Sequence, residues 1–98
     1  MTKYRQAARV DENQNQIVQR LRAYGCSVQT GMDDLLVGYK GRNYWIEVKD
    51  PSKTKKNNGD YKAGAIKNSQ QKLLKEWRGN YSVCCSFEEI LEEINNAQ

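Results

Sequence analysis

Asp34-Leu35-Leu36-Val37-Gly38 and Tyr44-Trp45-Ile46-Glu47-Val48-Lys49-Asp50 are two strand-forming runs with a turn signal, Lys40-Gly41, between them. They read as a β-hairpin. Side chains alternate along a strand, so Glu47 and Lys49 are expected on one face and Ile46 and Val48 on the other. Folding the arms antiparallel about Lys40-Gly41 brings Asp34 back beside Glu47. The expected product is a carboxylate pair flanked by an ammonium group, and the rest of the chain is read outward from it.

Carboxylate oxygens are the ligands that hard divalent cations such as magnesium accept, with much of the coordination shell left to water and substrate phosphate. Lys49 is placed to steady an attacking water or to stabilise negative charge on a phosphate. This is a phosphodiester-cutting site in outline. On spacing alone the signal is weak, because Glu-x-Lys is common in a chain rich in both residues and alternating charges are more often a hairpin's solvated face.

The same residues resemble the VRR-NUC family of the PD-(D/E)xK nuclease superfamily, in particular its small standalone phage members. In that family an Asp opens a Leu-Leu-Val-Gly strand, a Gly-Arg turn follows, and an aromatic and aliphatic strand ends Glu-Val-Lys. Asp34 to Gly38, Gly41-Arg42 and Trp45 to Lys49 reproduce this order. Where the superfamily's name puts Pro before the first Asp, this chain has Asp33. Asp34 is preferred as the ligand because it abuts the strand.

The resemblance implies a restriction-endonuclease-like α/β fold, an αβββαβ core with a mixed four-stranded sheet and a C-terminal helix. It also implies a DNA endonuclease dependent on Mg2+ or Mn2+. Asp34, Glu47 and the Val48 carbonyl would hold the metal, and Lys49 would assist the attacking water. Glu12, on the first helix, is the implied accessory ligand. Family members carry a Gln seven residues before a Trp, as Gln70 and Trp77 stand here, which favours Gln70 over Gln71 as a fourth catalytic residue supporting Lys49. Standalone members resemble homodimeric Holliday-junction resolvases, so branched DNA and a second copy of the chain are the implied partners.

Length bounds the organisation. Ninety-eight residues are expected to form one domain, 1–98, with a single core and no separate recognition module. No segment has the apolar length of a membrane span, and the polar amino terminus lacks a signal-peptide core, so a cytoplasmic location is expected, the host cytoplasm if phage-encoded. Cys26, Cys84 and Cys85 form no CxxC pair and the chain has no histidine. Zinc-finger spacing is absent and a catalytic cysteine would lack an imidazole base, so buried reduced thiols are expected. Net charge is +4, but residues 1–80 carry all sixteen Lys and Arg while 81–98 carry four Glu and no base. A polyanion would meet the basic part.

The remaining elements follow in chain order. A helix is expected over 3–24, with Val10, Ile17, Val18, Leu21 and Tyr24 near one face and Gly25 as its stop. Cys26 to Gln29 is a short strand. Pro51 ends the second hairpin arm, and 52–67 reads as a flexible basic loop whose Lys53, Lys55, Lys56, Lys62 and Lys67 are candidates for DNA-backbone contacts, with Tyr61 as a stacking residue. Ser69 is expected to cap a helix that buries Leu73, Leu74 and Trp77 before Gly79 stops it. Tyr81 to Cys85 is a fourth strand, and Ser86-Phe87-Glu88-Glu89 opens a last helix through Ile90, Leu91 and Ile94. The first helix, Tyr4 and Tyr39 are the candidate dimer surface. Two other function classes stay open at this point: a DNA-binding module that never cuts, and a subunit of a larger assembly.

Overall fold

The computed structural model describes residues 12–31 and 34–96. Its elements run α1 (Glu12–Tyr24), β1 (Ser27–Gln29), β2 (Leu35–Tyr39), β3 (Arg42–Val48), α2 (Pro51–Thr54), α3 (Asn68–Glu76), β4 (Tyr81–Cys84) and α4 (Phe87–Asn96). The four strands form one mixed sheet in the order β1-β2-β3-β4, antiparallel except for the β3–β4 pair. An antiparallel pair needs only a tight turn, whereas the parallel β4 requires the long crossover that 49–80 provides.

The hairpin forms as its turn residues dictate. Tyr39 pairs with Arg42, leaving Lys40 and Gly41 as a two-residue loop with φ of 50° and 80°. Two successive positive φ values match the right-handed twist of the arms, and Gly41 adopts one without steric cost. From that turn the register runs to Leu35 opposite Ile46. Asp34 therefore stands one step beyond the last pair, level with Glu47.

Alternation divides the sheet into two unlike faces. Leu35, Val37, Tyr44 and Ile46 point to the face covered by α1 and α4, where they join Ile17, Val18, Leu21, Ile90 and Ile94 in the core. Leu21, Leu35, Ile46, Ile90 and Ile94 have no exposed surface. The Tyr44 hydroxyl donates to the Ile94 carbonyl at 3.3 Å, so this polar atom within the layer is satisfied. The opposite face carries Leu36, Asn43, Trp45, Glu47 and Tyr81. The α3 end of the chain reaches it, through the rings of Trp77 and Trp45.

Several expectations need correcting. Leu73, Leu74 and Trp77 are not a buried stripe: α3 has no buried residue, and Leu74 and Trp77 are 47% and 51% exposed. One short helix over one end of a four-stranded sheet cannot enclose its own apolar side. The helix begins at Asn68, not after Ser69, because Lys67 is the cap residue and its N–H donates to Gln70 Oε1 at 3.0 Å. The 52–67 segment is folded. Asp50 caps α2 through Ser52, Lys55 bridges Tyr61 in antiparallel fashion, and Lys56 and Lys62 donate backbone bonds to Asp60 and Thr54 at 2.7 Å. Tyr39 is half-buried against Tyr24, with ring centroids 5.6 Å apart, so it offers little to a dimer surface. Tyr4, Val10 and the part of the expected first helix before Glu12 lie outside the described residues. No helix among the described residues is long and apolar enough to cross a membrane.

Candidate active site

Glu47 and Lys49 are two residues apart on one strand and share a face, which places Lys49 Nζ 3.6 Å from Glu47 Oε2. Both side chains are largely enclosed, 10% exposed for Lys49 and 13% for Glu47. Asp34 meets this pair from the end of β2. Trp45 Nε1 donates to Asp34 Oδ2 at 2.6 Å and fixes that carboxylate in place. Asp34 and Glu47 stand level across the hairpin and line one pocket. Burial first, then a hydrogen bond and the charge from Asp34, push Glu47 up to about 7, with Lys49 pulling the other way. Glu47 therefore holds its proton to higher pH than an ordinary carboxylate.

A pocket of about 370 Å³ opens here, lined by Asp34, Glu47, Lys67, Gln70, Leu73 and Tyr81, with Ser69 at its rim. The sequence marks Tyr81 only as a strand residue. Its place follows from the parallel register, in which Tyr81 pairs with Trp45 and so shares the face of Trp45 and Glu47. Its hydroxyl is buried without a hydrogen-bond partner among the described residues. Burial and the two carboxylates raise it to about 12, which keeps it a neutral donor.

The other expected site residues fall into three groups. Val48 is placed next to the carboxylate pair by backbone direction. Trp45 and Lys49 donate their N–H groups toward β4, to Asn80 and Cys84, so alternation turns the Val48 carbonyl toward the β2 side, beyond the last β2–β3 pair among the described residues. Gln70 lines the pocket, but its Oε1 is engaged by Lys67 N–H and it makes no hydrogen bond to Lys49. Glu12 opens α1, and its neighbour Asn13 donates to the carbonyls of Lys49 and Cys85 at 3.5 and 3.4 Å, so the helix start lies at the site end of β3. The Glu12 side chain and all of Asp33 lie outside the described residues.

The lysines divide by position. Lys67 lines the acidic pocket, and Lys53, Lys56 and Lys62 are exposed. Lys55 is engaged elsewhere: its ammonium sits 3.4 Å from Glu89 and over the Tyr61 ring. Tyr61 is half-buried and its hydroxyl meets Cys85 Sγ at 3.0 Å, so it is not free to stack on a base. The three cysteines are buried and unpaired. Burial raises the thiols of Cys26 and Cys84, the latter to about 12, which keeps them unreactive.

Two adjacent carboxylates beside a backbone carbonyl are a donor set that fits a hard divalent cation, since the cation can take the place of the proton on Glu47. Among the described residues no third acidic, cysteine or histidine side chain joins them. The rest of an octahedral shell would fall to water and substrate oxygen, as magnesium tolerates.

The proton on Glu47 makes stability depend on pH. The folded chain holds it up to about pH 7, whereas the unfolded chain releases it near the ordinary 4.5. Between these values the native state binds more protons, so stability falls as pH rises through that window and levels off above it. Urea unfolding in EDTA is expected to show a loss on the order of 1–3 kcal/mol from pH 4.5 to 8. Glu47→Gln should flatten that part of the curve and match or exceed the wild type at pH 8. An unchanged slope in the variant would refute the raised Glu47.

Compared with known proteins, the chain matches no family model, no curated protein and no solved structure.

Proposed function

We propose that this protein is a metal-dependent endodeoxyribonuclease of the VRR-NUC type, with a restriction-endonuclease-like core, acting on branched DNA as a homodimer. One observation carries the reading: the enclosed Asp34–Glu47 pair beside Lys49 at the open end of β3. Asp34, Glu47 and the Val48 carbonyl would hold Mg2+ or Mn2+, which when bound supplies positive charge to the scissile phosphate and acidifies the attacking water.

The chain's own groups then have distinct tasks. Lys49, held 3.6 Å from Glu47, keeps a positive charge and three N–H donors at the site, able to orient a water or to meet charge that develops on the phosphate. Trp45 fixes Asp34 by its 2.6 Å bond, so that carboxylate does not have to be ordered on binding. The unpartnered Tyr81 hydroxyl is a neutral donor for a phosphate oxygen. Gln70, with its oxygen committed to capping, has its amide nitrogen left for the pocket. Lys67 borders the same pocket and adds positive charge at the entrance.

Incubating the pure protein with labelled four-way junctions, flaps, single strands and linear duplexes, with Mg2+ or Mn2+, tests the reading. Paired nicks on the junction, lost in EDTA, are expected. DNA binding without cutting under any metal would return the chain to a non-catalytic binding module. A stable monomer that cuts duplex as fast as junctions would remove the resolvase reading and leave the nuclease one.

The exposed lysines give a separate expectation. Neutralising Lys53, Lys56 and Lys62 together should weaken binding to different sequences about equally, and should reduce the slope of log affinity against log salt by roughly 0.9 for each phosphate that a lysine had neutralised. Neutralising Lys55, paired with Glu89, should leave that slope unchanged. Salt titrations of fluorescently labelled DNA decide both.

A further inference from the structure

Among the described residues Trp77 is the most exposed large apolar side chain, at 51%, yet it has close neighbours on the protein. Its ring meets Trp45 nearly perpendicularly, with centroids 5.0 Å apart and an interplanar angle of 87°. On its other side the chain runs close by at Gly79, where a Cβ would stand 2.9 Å from Trp77 Nε1. Only glycine leaves room for the indole in this position. A large aromatic surface that is fixed before binding loses little freedom when something stacks on it.

What lies next to it suggests what stacks. Leu36, Trp45, Trp77 and Gly79 line an apolar groove of about 350 Å³, with Asn43 and Asn80 at its polar rim. Asp34 lines both this groove and the acidic pocket, so the two adjoin at that residue. Beyond the indole a third depression, bordered by Lys72 and Glu76, carries one charge of each sign. A flat ligand with a hydrogen-bonding edge, joined to a phosphate on one side, matches the groove and the adjoining pocket. A nucleotide within a DNA strand has this chemistry.

We propose that the groove receives an unpaired nucleobase of the strand being cut, stacked on Trp77 with its edge toward Asn43 and Asn80, while its phosphate lies at Asp34, Glu47 and Lys49. This rests on the nuclease reading and names its substrate class: DNA in which the nucleotide beside the cut is free of its partner, since a base within the duplex stack cannot enter. Branch points and single strands supply such a base, and continuous duplex does not.

The test compares the full-length wild type with W77A, W77F and G79A on a junction whose cut position has been mapped, and on the same junction with an abasic nucleotide beside the cut. W77A should lose about 10- to 100-fold in kcat/KM on intact DNA, the scale of one base–aromatic stack. W77F should retain most activity, and G79A, which displaces the indole, should lose part. Wild type should lose the same factor on the abasic substrate, and W77A should lose nothing further there. Independent losses that multiply in W77A, or undiminished cutting by W77A, would overturn the slot. So would a W77A loss that reflects a dimer falling to a monomer, which sedimentation reads, because the groove would then be an interface between copies. Quenching of indole fluorescence by a single-stranded oligonucleotide without metal, lost in W77A, reports the slot apart from cleavage. Quenching without cutting would keep the slot and remove the nuclease, and cutting without quenching would do the reverse.

Discussion

Glu47→Gln is expected to lower DNA cleavage by at least about 10³-fold while DNA affinity without metal stays within a few-fold of wild type. The substitution keeps the shape of the side chain and its place on β3, two residues from Lys49. It removes the negative charge that Asp34 alone cannot replace, and it puts a weaker, neutral amide oxygen where the site offers the cation a carboxylate. Because Glu47 is pushed up to about 7 without metal, the amide resembles a form the side chain readily adopts and the fold should not suffer. Loss of activity with equal or greater stability at pH 8 would separate a chemical role from a structural one. Cleavage time courses and urea unfolding on the same preparation measure both, and full activity in the variant would sink the assignment of this carboxylate.

Lys49→Met is the second large effect, an expected loss of about 10²- to 10⁴-fold in kcat with little change in metal affinity. Methionine preserves the length and most of the volume of the side chain while deleting its charge. The Lys49 side chain is only 10% exposed, so the ammonium is held within the site and not in bulk solvent, where its influence on a nearby phosphate would be screened. Deleting it also leaves the Asp34–Glu47 pair without its counter-charge, which should move the proton on Glu47 to still higher pH. The pH at which activity rises should therefore shift upward in whatever activity remains. A variant with unchanged kcat would show that Lys49 serves only to neutralise its neighbour.

The hairpin is legible in the sequence because local rules determine it. Lys40-Gly41 accepts the positive φ values of a tight turn, and alternation from that turn decides which of Glu47, Val48 and Lys49 share a face. Asp34 opposite Glu47 follows by counting along the ladder. What is not legible depends on residues distant in sequence. Periodicity says that Leu73, Leu74 and Trp77 share a side of α3, but not that the sheet leaves that side uncovered. Lys55 finds Glu89 34 residues away and Tyr61 finds Cys85 24 residues away, so a segment that reads as a mobile basic loop is tied down at two of its most informative positions. Tyr81 enters the site only through a parallel register that no local signal specifies.

Direct titration with Mn2+ tests the central claim, that the Asp34–Glu47 pair is a metal site, without relying on any DNA substrate. Calorimetry or water-proton relaxation on the wild type should show one class of site per chain. Asp34→Asn and Glu47→Gln should each abolish it and Lys49→Met should keep it. Binding that survives in both carboxylate variants, or no binding to the wild type at millimolar Mn2+, would contradict the account.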